Sequence, residues 1–370
     1  MFFHHHIIGQ KTLARREIYL VNSLRSFALS LVGLFIPVYL LNVGFSLFYV
    51  LFFLVVSSLT VVLSGVGVAY LSANIGFKRT IMISSIFSVL ELVGLVFIEP
   101  FMLIPLAVLD GLSVVFFWTP LSAMFAVASD PKKEAEQTSY LLILPSLLSS
   151  AAPFIGGVII TLLGFDLLYM IAVLILIAGT SIMFIGKDYK ERQPKLKFVW
   201  SRKTVRFAPY FFLQGIMFRS LSVLVPLYFY LMVLNYEDLG SLGTLMSVGG
   251  VLFSYIVGKL SDRLGYAKVV KVGAVVIAGL WFLLTIASAS IDVALVSSLL
   301  STVFVMNSIP VFAVVSKHPG KHPAEFMAFR SMMINLGKLT AVLYLVFTGN
   351  FRHLFILSAI VSLLFLAFKE

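Results

Sequence analysis

The sequence predicts an all-α polytopic membrane protein, with twelve transmembrane helices in two pseudo-symmetric six-helix bundles. Composition, charge alternation along the chain and an internal repeat lead there. Hydrophobic residues make up 60% of the chain and charged residues 12%, with a mean hydropathy of +1.06. A soluble domain carries about 25% charged residues, so water is the wrong solvent for this surface. In lipid, about 20 apolar residues span the hydrocarbon as a helix. A β-barrel would need alternating segments of about ten residues, which this sequence lacks.

The elements follow in order from the apolar runs. The opening Met1-Phe-Phe-His-His-His-Ile-Ile-Gly-Gln-Lys11 has no small-residue cleavage site, so the first run should remain as a helix. That run, 17–42, follows Lys11, Arg15 and Arg16. Span 45–71 leads to Lys78 and Arg79, and span 79–98 ends at Glu99. Span 101–128 reaches Lys132 and Lys133, and span 138–163 stops before Asp166. Span 166–186 enters a basic stretch from Lys187 to Arg206. Span 207–234 is followed by Glu237 and Asp238, and span 239–259 by the bases from Lys259 to Lys271. Span 269–288 precedes Asp292, and span 292–316 precedes Lys317 and Lys321. Spans 326–348 and 352–368 are separated near Arg352, the one strong base on the acidic side, and Lys369 follows the last span.

Basic gaps therefore alternate with acidic ones. The positive-inside rule then puts both termini in the cytoplasm and makes this a multi-pass protein of the plasma (cytoplasmic) membrane. The net charge of +11 is read as topology and not as a nucleic-acid surface. With no cysteine, disulfides and thiolate metal sites are excluded. No phosphate-cradling Gly-x-x-x-x-Gly-Lys-Ser/Thr and no hydrolytic constellation occurs. No catalytic residue, metal site or cofactor is expected, and the protein is not read as an enzyme.

The repeat has an offset of 189 residues, Ser261 against Ser72. Pro37-Val-Tyr39 meets Pro226-Leu-Tyr228, Gly76 meets Gly265, and Lys132, Ala135 and Glu136 meet Lys321, Ala324 and Glu325. This divides the chain into a bundle at 1–186, a basic cytoplasmic linker at 187–206 and a second bundle at 207–370. Parallel repeats about an axis along the membrane normal belong to transporters whose halves rock against each other.

Gly258-Lys-Leu260-Ser261-Asp262-Arg263-Leu-Gly265-Tyr-Ala-Lys268 is similar to the signature loop of the major facilitator superfamily, and the chain resembles that family over its whole length. Ala152-Pro153-Phe-Ile-Gly156-Gly157 resembles the family's antiporter element in the fifth helix, with Ala152 where the family has glycine. Two departures stand out. Ala73 and Asn74 replace the Asp-Arg of the first-half loop, and Ala107 stands where drug–proton antiporters often carry arginine. The resemblance implies secondary transport by rocker-switch alternating access, with gating at Pro153, Gly156, Gly157, Gly258, Asp262, Arg263, Gly265 and Lys268. Glu325 is the expected acidic partner of Arg263 and Lys268.

Arg25, Glu91, Asp110, Arg219 and Lys338 fall within apolar spans. A charge at the bilayer centre costs about 2.5–3.5 kcal/mol even on the lenient scale, so each should face a cavity or a partner. The family's architecture lines the central cavity with helices one, four, seven and ten, with five and eleven beside them. Arg25, Asp110, Trp118, Arg219, Asn307 and Lys338 are accordingly the expected substrate-binding residues, with Glu91 a structural partner of a cation. Cations outnumber acids there, so the substrate is a small organic solute with an anionic group. The alternatives are a multidrug/proton antiporter, or a non-translocating lipid-handling or sensory protein of the same fold. Expected partners are the small-molecule substrate, a coupling proton or other ion, and membrane lipid, without nucleic acid. A monomer is expected.

Overall fold

The computed structural model describes residues 2–128, 134–184, 205–316 and 323–368. Among them no strand occurs, and the helices are α1 (Phe2–Val32), α2 (Ile36–Asn42), α3 (Leu47–Ile75), α4 (Phe77–Val96), α5 (Leu103–Ala128), α6 (Glu134–Ser149) and α7 (Ala152–Ser181). Next come α8 (Ala208–Arg219), α9 (Val225–Val233), α10 (Tyr236–Leu264), α11 (Tyr266–Ile286), α12 (Ser290–Ser316), α13 (Pro323–Thr348) and α14 (Phe351–Leu363). The predicted linker lies outside the described residues apart from Val205 and Arg206.

Ten helical runs among the described residues are long and apolar enough to cross a membrane. Two particulars separate this from the twelve expected. The fifth and sixth spans fall in one run of 42 residues, Ile143–Phe184, inside which Gly164 leaves the helical region at φ 84°, ψ 172°. The last span, Phe351–Ala367, is a shorter apolar helix.

The 189-residue register persists in the backbone. α3 and α10 both have 29 residues and start at Leu47 and Tyr236, one offset apart. Each ends at a glycine with positive φ, Gly76 at 110° and Gly265 at 88°. Side chains rarely adopt that conformation, which lets the chain reverse directly into α4 and α11. The first span of each expected half is also interrupted alike. Residues 33–35 separate α1 from α2 ahead of Pro37, and a π-helical turn at Ser220–Leu224 separates α8 from α9 ahead of Pro226. A proline ring clashes with the carbonyl four residues back and lacks its own N–H donor, so it breaks the helix on its N-terminal side.

Packing pairs repeat as well. α3 and α4 lie on α5 as α10 and α11 lie on α12. α1 lies on α7 as α8 lies on α13. The most extensive contacts between the repeats are α3 with α13 and α7 with α10, with α5 also on α13 and α6 on α10. The α7–α10 crossing is close because small residues line it. A Cβ on Gly157 would sit 2.5 Å from the Tyr236 carbonyl oxygen, and one on Gly243 would sit 2.8 Å from the Pro153 ring. Without a hydrophobic drive between helices in lipid, such close approach supplies the dispersion contact that holds them. Tyr236 closes this end by donating its hydroxyl to Asn42 Oδ1 at 3.2 Å and meeting Phe165 edge-on at 5.3 Å.

One buried ion pair anchors the α3–α4 turn. Lys78 Nζ lies 2.6 Å from Glu17 Oε2, with both side chains about 4–5% exposed. Removing one member of such a pair costs about 3–5 kcal/mol, whereas replacing both by apolar residues is often neutral. Glu17→Gln is therefore expected to lower the melting temperature, and Glu17→Leu with Lys78→Met to recover most of it. Thermal denaturation of the lipid-embedded variants checks this, and equal melting of Glu17→Gln and wild type would overturn it.

Candidate functional site

α3 packs on helices of both repeats and carries the adjacent serines Ser57 and Ser58. Ser57 donates its hydroxyl to Asp110 Oδ2 on α5. Ser58 accepts a bond from Arg219 Nη2, at the end of α8, at 3.0 Å. One serine pair thus places an acid of the first repeat beside a cation of the second. α3 and α5 approach closely here because Gly111 follows Asp110: a Cβ on it would sit 2.5 Å from the Ser57 carbonyl oxygen.

Arg25, on α1, is 5% exposed. Its Nη2 donates to the Ser113 carbonyl oxygen at 3.1 Å, and its guanidinium stands 4.4 Å from the Phe117 ring centroid. A desolvated cation–π contact is worth roughly 2 kcal/mol, which offsets a large part of the cost of the buried charge. Lys338, on α13, lies 5.0 Å from the Phe218 ring centroid. A glycine crossing of α8 and α13 brings Arg219 and Lys338 to one place. A Cβ on Gly215 would fall 3.0 Å from Gly337 Cα, and one on Gly337 would fall 2.9 Å from Gly215 Cα. Arg219 is one turn beyond Gly215, and Lys338 is next to Gly337.

These charges form one electrostatic unit. The Asp110 charge acts on Arg25, Arg219, Lys338 and Glu91, while Glu91 acts on Arg25. Arg330 on α13 adds its charge to the field at Lys338 and lies 5.8 Å from the Phe211 ring centroid. All five ionisable residues that the sequence singled out are thereby connected. Glu91, 3% exposed, reaches the unit from α4 within the first repeat.

The remaining expected residues fall elsewhere. Trp118 is 43% exposed and meets Phe117 edge-on at 5.5 Å. Asn307 is buried on α12 near α11, where a Cβ on Gly273 would sit 2.9 Å from its Oδ1. It therefore lies between those two helices. Gly156 abuts Leu31 of α1 and Phe35 just beyond it, and Gly157 and Pro153 abut α10. Asp262, Arg263 and Lys268 are exposed, with Asp262 Oδ1 accepting from the Tyr266 hydroxyl at 3.1 Å. Gly265 makes the turn, but around Gly258 a Cβ would meet nothing within 4 Å. Gly258 therefore has open space around it. The Glu325 side chain lies outside the described residues, and with it the expected pairing to Arg263 and Lys268.

Sequence reasoning missed Ser57, Ser58, Ser113 and Glu17. The signal for the first pair was weak but present: two adjacent hydroxyls in an otherwise apolar run. Ser113 contributes through its backbone carbonyl, which side-chain identity does not encode.

The sequence model described as Major Facilitator Superfamily matches residues 18–342. No curated protein sequence matches the chain. Among solved structures, that of the human organic anion transporter MFSD10 (TETRAN) is similar with a TM-score of 0.69. The match covers 96% of this chain and 98% of that one at 13% sequence identity, a likeness of fold.

Proposed function

The chain belongs to the major facilitator superfamily, and from that premise we propose that it is a secondary active transporter of a small organic solute bearing an anionic group. The charge balance at the α3 serine pair carries the anionic reading. Arg25, Arg219 and Lys338 share one acid, Asp110, and Glu91 reaches only Arg25 among them. A positive field focused between low-dielectric walls concentrates anions. Arginine adds a planar fork that matches a carboxylate or phosphate. The solved relative's description as an organic anion transporter agrees with this class.

In this reading the chain has twelve spans in two six-helix bundles, 1–186 and 207–370, joined by the linker 187–206, with both termini cytoplasmic. The bundles rock about the serine pair. Pro153 and Gly157 close one side against α10 with Gly156 seated on Leu31 and Phe35, while Gly258, Asp262, Arg263, Gly265, Lys268 and Glu325 act at the other. Asn307 serves packing of α12, and Trp118 borders the solute.

Uptake of a panel of radiolabelled organic anions into proteoliposomes tests the proposal. A charge-assisted hydrogen bond contributes about 1.5–3 kcal/mol, so Arg219→Ala is expected to reduce uptake by at least about tenfold. Unchanged uptake in an Arg219→Ala protein that melts like wild type would overturn the anionic reading. Multidrug efflux is the second reading, favoured by the exposed Trp118 ring beside Phe117. Drug export that is insensitive to Arg25 and Arg219 would select it.

A further inference from the structure

The face of α4 that enters the first repeat carries Thr80, Ser84, Ser88 and Glu91, at helical spacings of four, four and three. All four are buried. Serines elsewhere in these helices satisfy themselves by donating to the carbonyl four residues back, as Ser64, Ser220, Ser261 and Ser297 do. Thr80 does the same to Gly76 at 2.9 Å. Ser84 and Ser88 do not: neither hydroxyl has a partner among the described residues.

The same is true of Glu91 Oε1, of Tyr169 Oη on α7, of Arg25 Nη1 on α1 and of Glu17 Oε1 at the α4 entrance. Buried polar atoms in folded proteins are nearly always satisfied by protein or by ordered water. Six such orphan atoms form a polar track along one helix face and around one carboxylate. It runs about 20 Å along α4, from Lys78 beside Glu17 to Glu91, at 1.5 Å per residue.

We propose that Glu91 is a proton-exchange site inside the first repeat, reached from the Gly76 end of α4 along Ser84 and Ser88. The ligand is a proton carried by water. A metal cation does not fit, because Arg25 brings its positive charge to the same carboxylate. The groups facing Glu91 from the packed elements are Arg25 on α1, Asp110 on α5 and Tyr169 on α7, itself acted on by Asp166 and Tyr39. On α3 the titratable side chains are Tyr49 and Tyr70, both exposed. The Glu91 charge can thus be compensated in two ways, by Arg25 or by an arriving proton. On proton arrival a carboxylate oxygen gains an O–H bond, and on release the proton returns to the water chain. The site lies among α1, α4, α5 and α7, apart from the cations contributed by the second repeat, and its test needs no anion.

Infrared spectroscopy of the full chain in lipid, labelled at glutamate with carbon-13, tests this. The difference between wild type and Glu91→Gln is expected to hold a protonated-glutamate carboxyl band that titrates across the pH series, the bands of the other labelled glutamates cancelling. In Glu91→Asp the acid remains, and the band should move to the unlabelled aspartate position. Transfer into D2O reads the track. Ser84→Val with Ser88→Val should slow exchange of that band by about tenfold or more, equivalent to the filled track adding about 1.4 kcal/mol of barrier. A difference between wild type and Glu91→Gln with no titrating labelled band, or a difference between wild type and Glu91→Asp with none, would overturn the site. Wild-type exchange in the double serine variant would overturn the track.

Discussion

Gly337→Leu is expected to disrupt the α8–α13 crossing and to abolish transport, the largest structural effect of any single substitution considered. A Cβ at Gly337 would lie 2.9 Å from both Gly215 Cα and Ile216 N, with the Phe212 carbonyl oxygen closer still. These are backbone atoms, so no rotamer change relieves the clash and the helices must separate. Overpacking costs about 1–3 kcal/mol where side chains can yield, and more where they cannot. Lipid supplies no compensating hydrophobic drive between helices. Separation would also draw Arg219 from Ser58 and move Lys338 away from Asp110. Thermal denaturation and uptake, measured on the same preparation, check the result. Gly337→Ala should be milder than leucine but still destabilising. A leucine variant with wild-type melting would show that the crossing tolerates separation.

Arg25→Ala is expected to reduce anion uptake by roughly ten- to a hundredfold, from the loss of one charge-assisted contact. Its effect should exceed that of Arg219→Ala because Arg25 serves two acids. Its removal leaves Glu91 and Asp110 without the cation that both act on and frees the Ser113 carbonyl oxygen. Arg25→Lys keeps the charge but replaces a planar fork with a point donor, so it should restore part of the uptake. Initial rates over a range of anion concentrations separate lost affinity from lost turnover. Equal uptake in wild type and Arg25→Ala would remove Arg25 from the binding site.

Much of the site was legible because lipid makes polar residues conspicuous. A charge in an apolar run is costly, so Arg25, Glu91, Asp110, Arg219 and Lys338 could be picked from the sequence without knowing their neighbours. Their joining into one unit was not legible. It depends on α3 bringing Ser57 and Ser58 between α5 and α8, and hydroxyls cost too little in a helix to stand out. The buried Glu17–Lys78 pair was hidden for a related reason. Both residues sit at span ends, where positive-inside topology alone accounts for a lysine.

The repeat shows the division most clearly. Offsets along the chain determined that α3 and α10 have equal length and end on corresponding glycines, because both are local matters of turn conformation and helix register. The membrane setting was equally local, since apolar run length and loop charge need no knowledge of distant contacts. Tertiary structure alone decided which ionisable groups meet, which glycine carries a close crossing, and which serines are left without partners. Gly215 and Gly337 permit approach, while Gly258 has open space around it, though glycine is the residue in all three cases. Contacts between distant segments depend on helix rotation and crossing geometry, and these are set by the sum of packing over the molecule rather than by any one stretch of sequence.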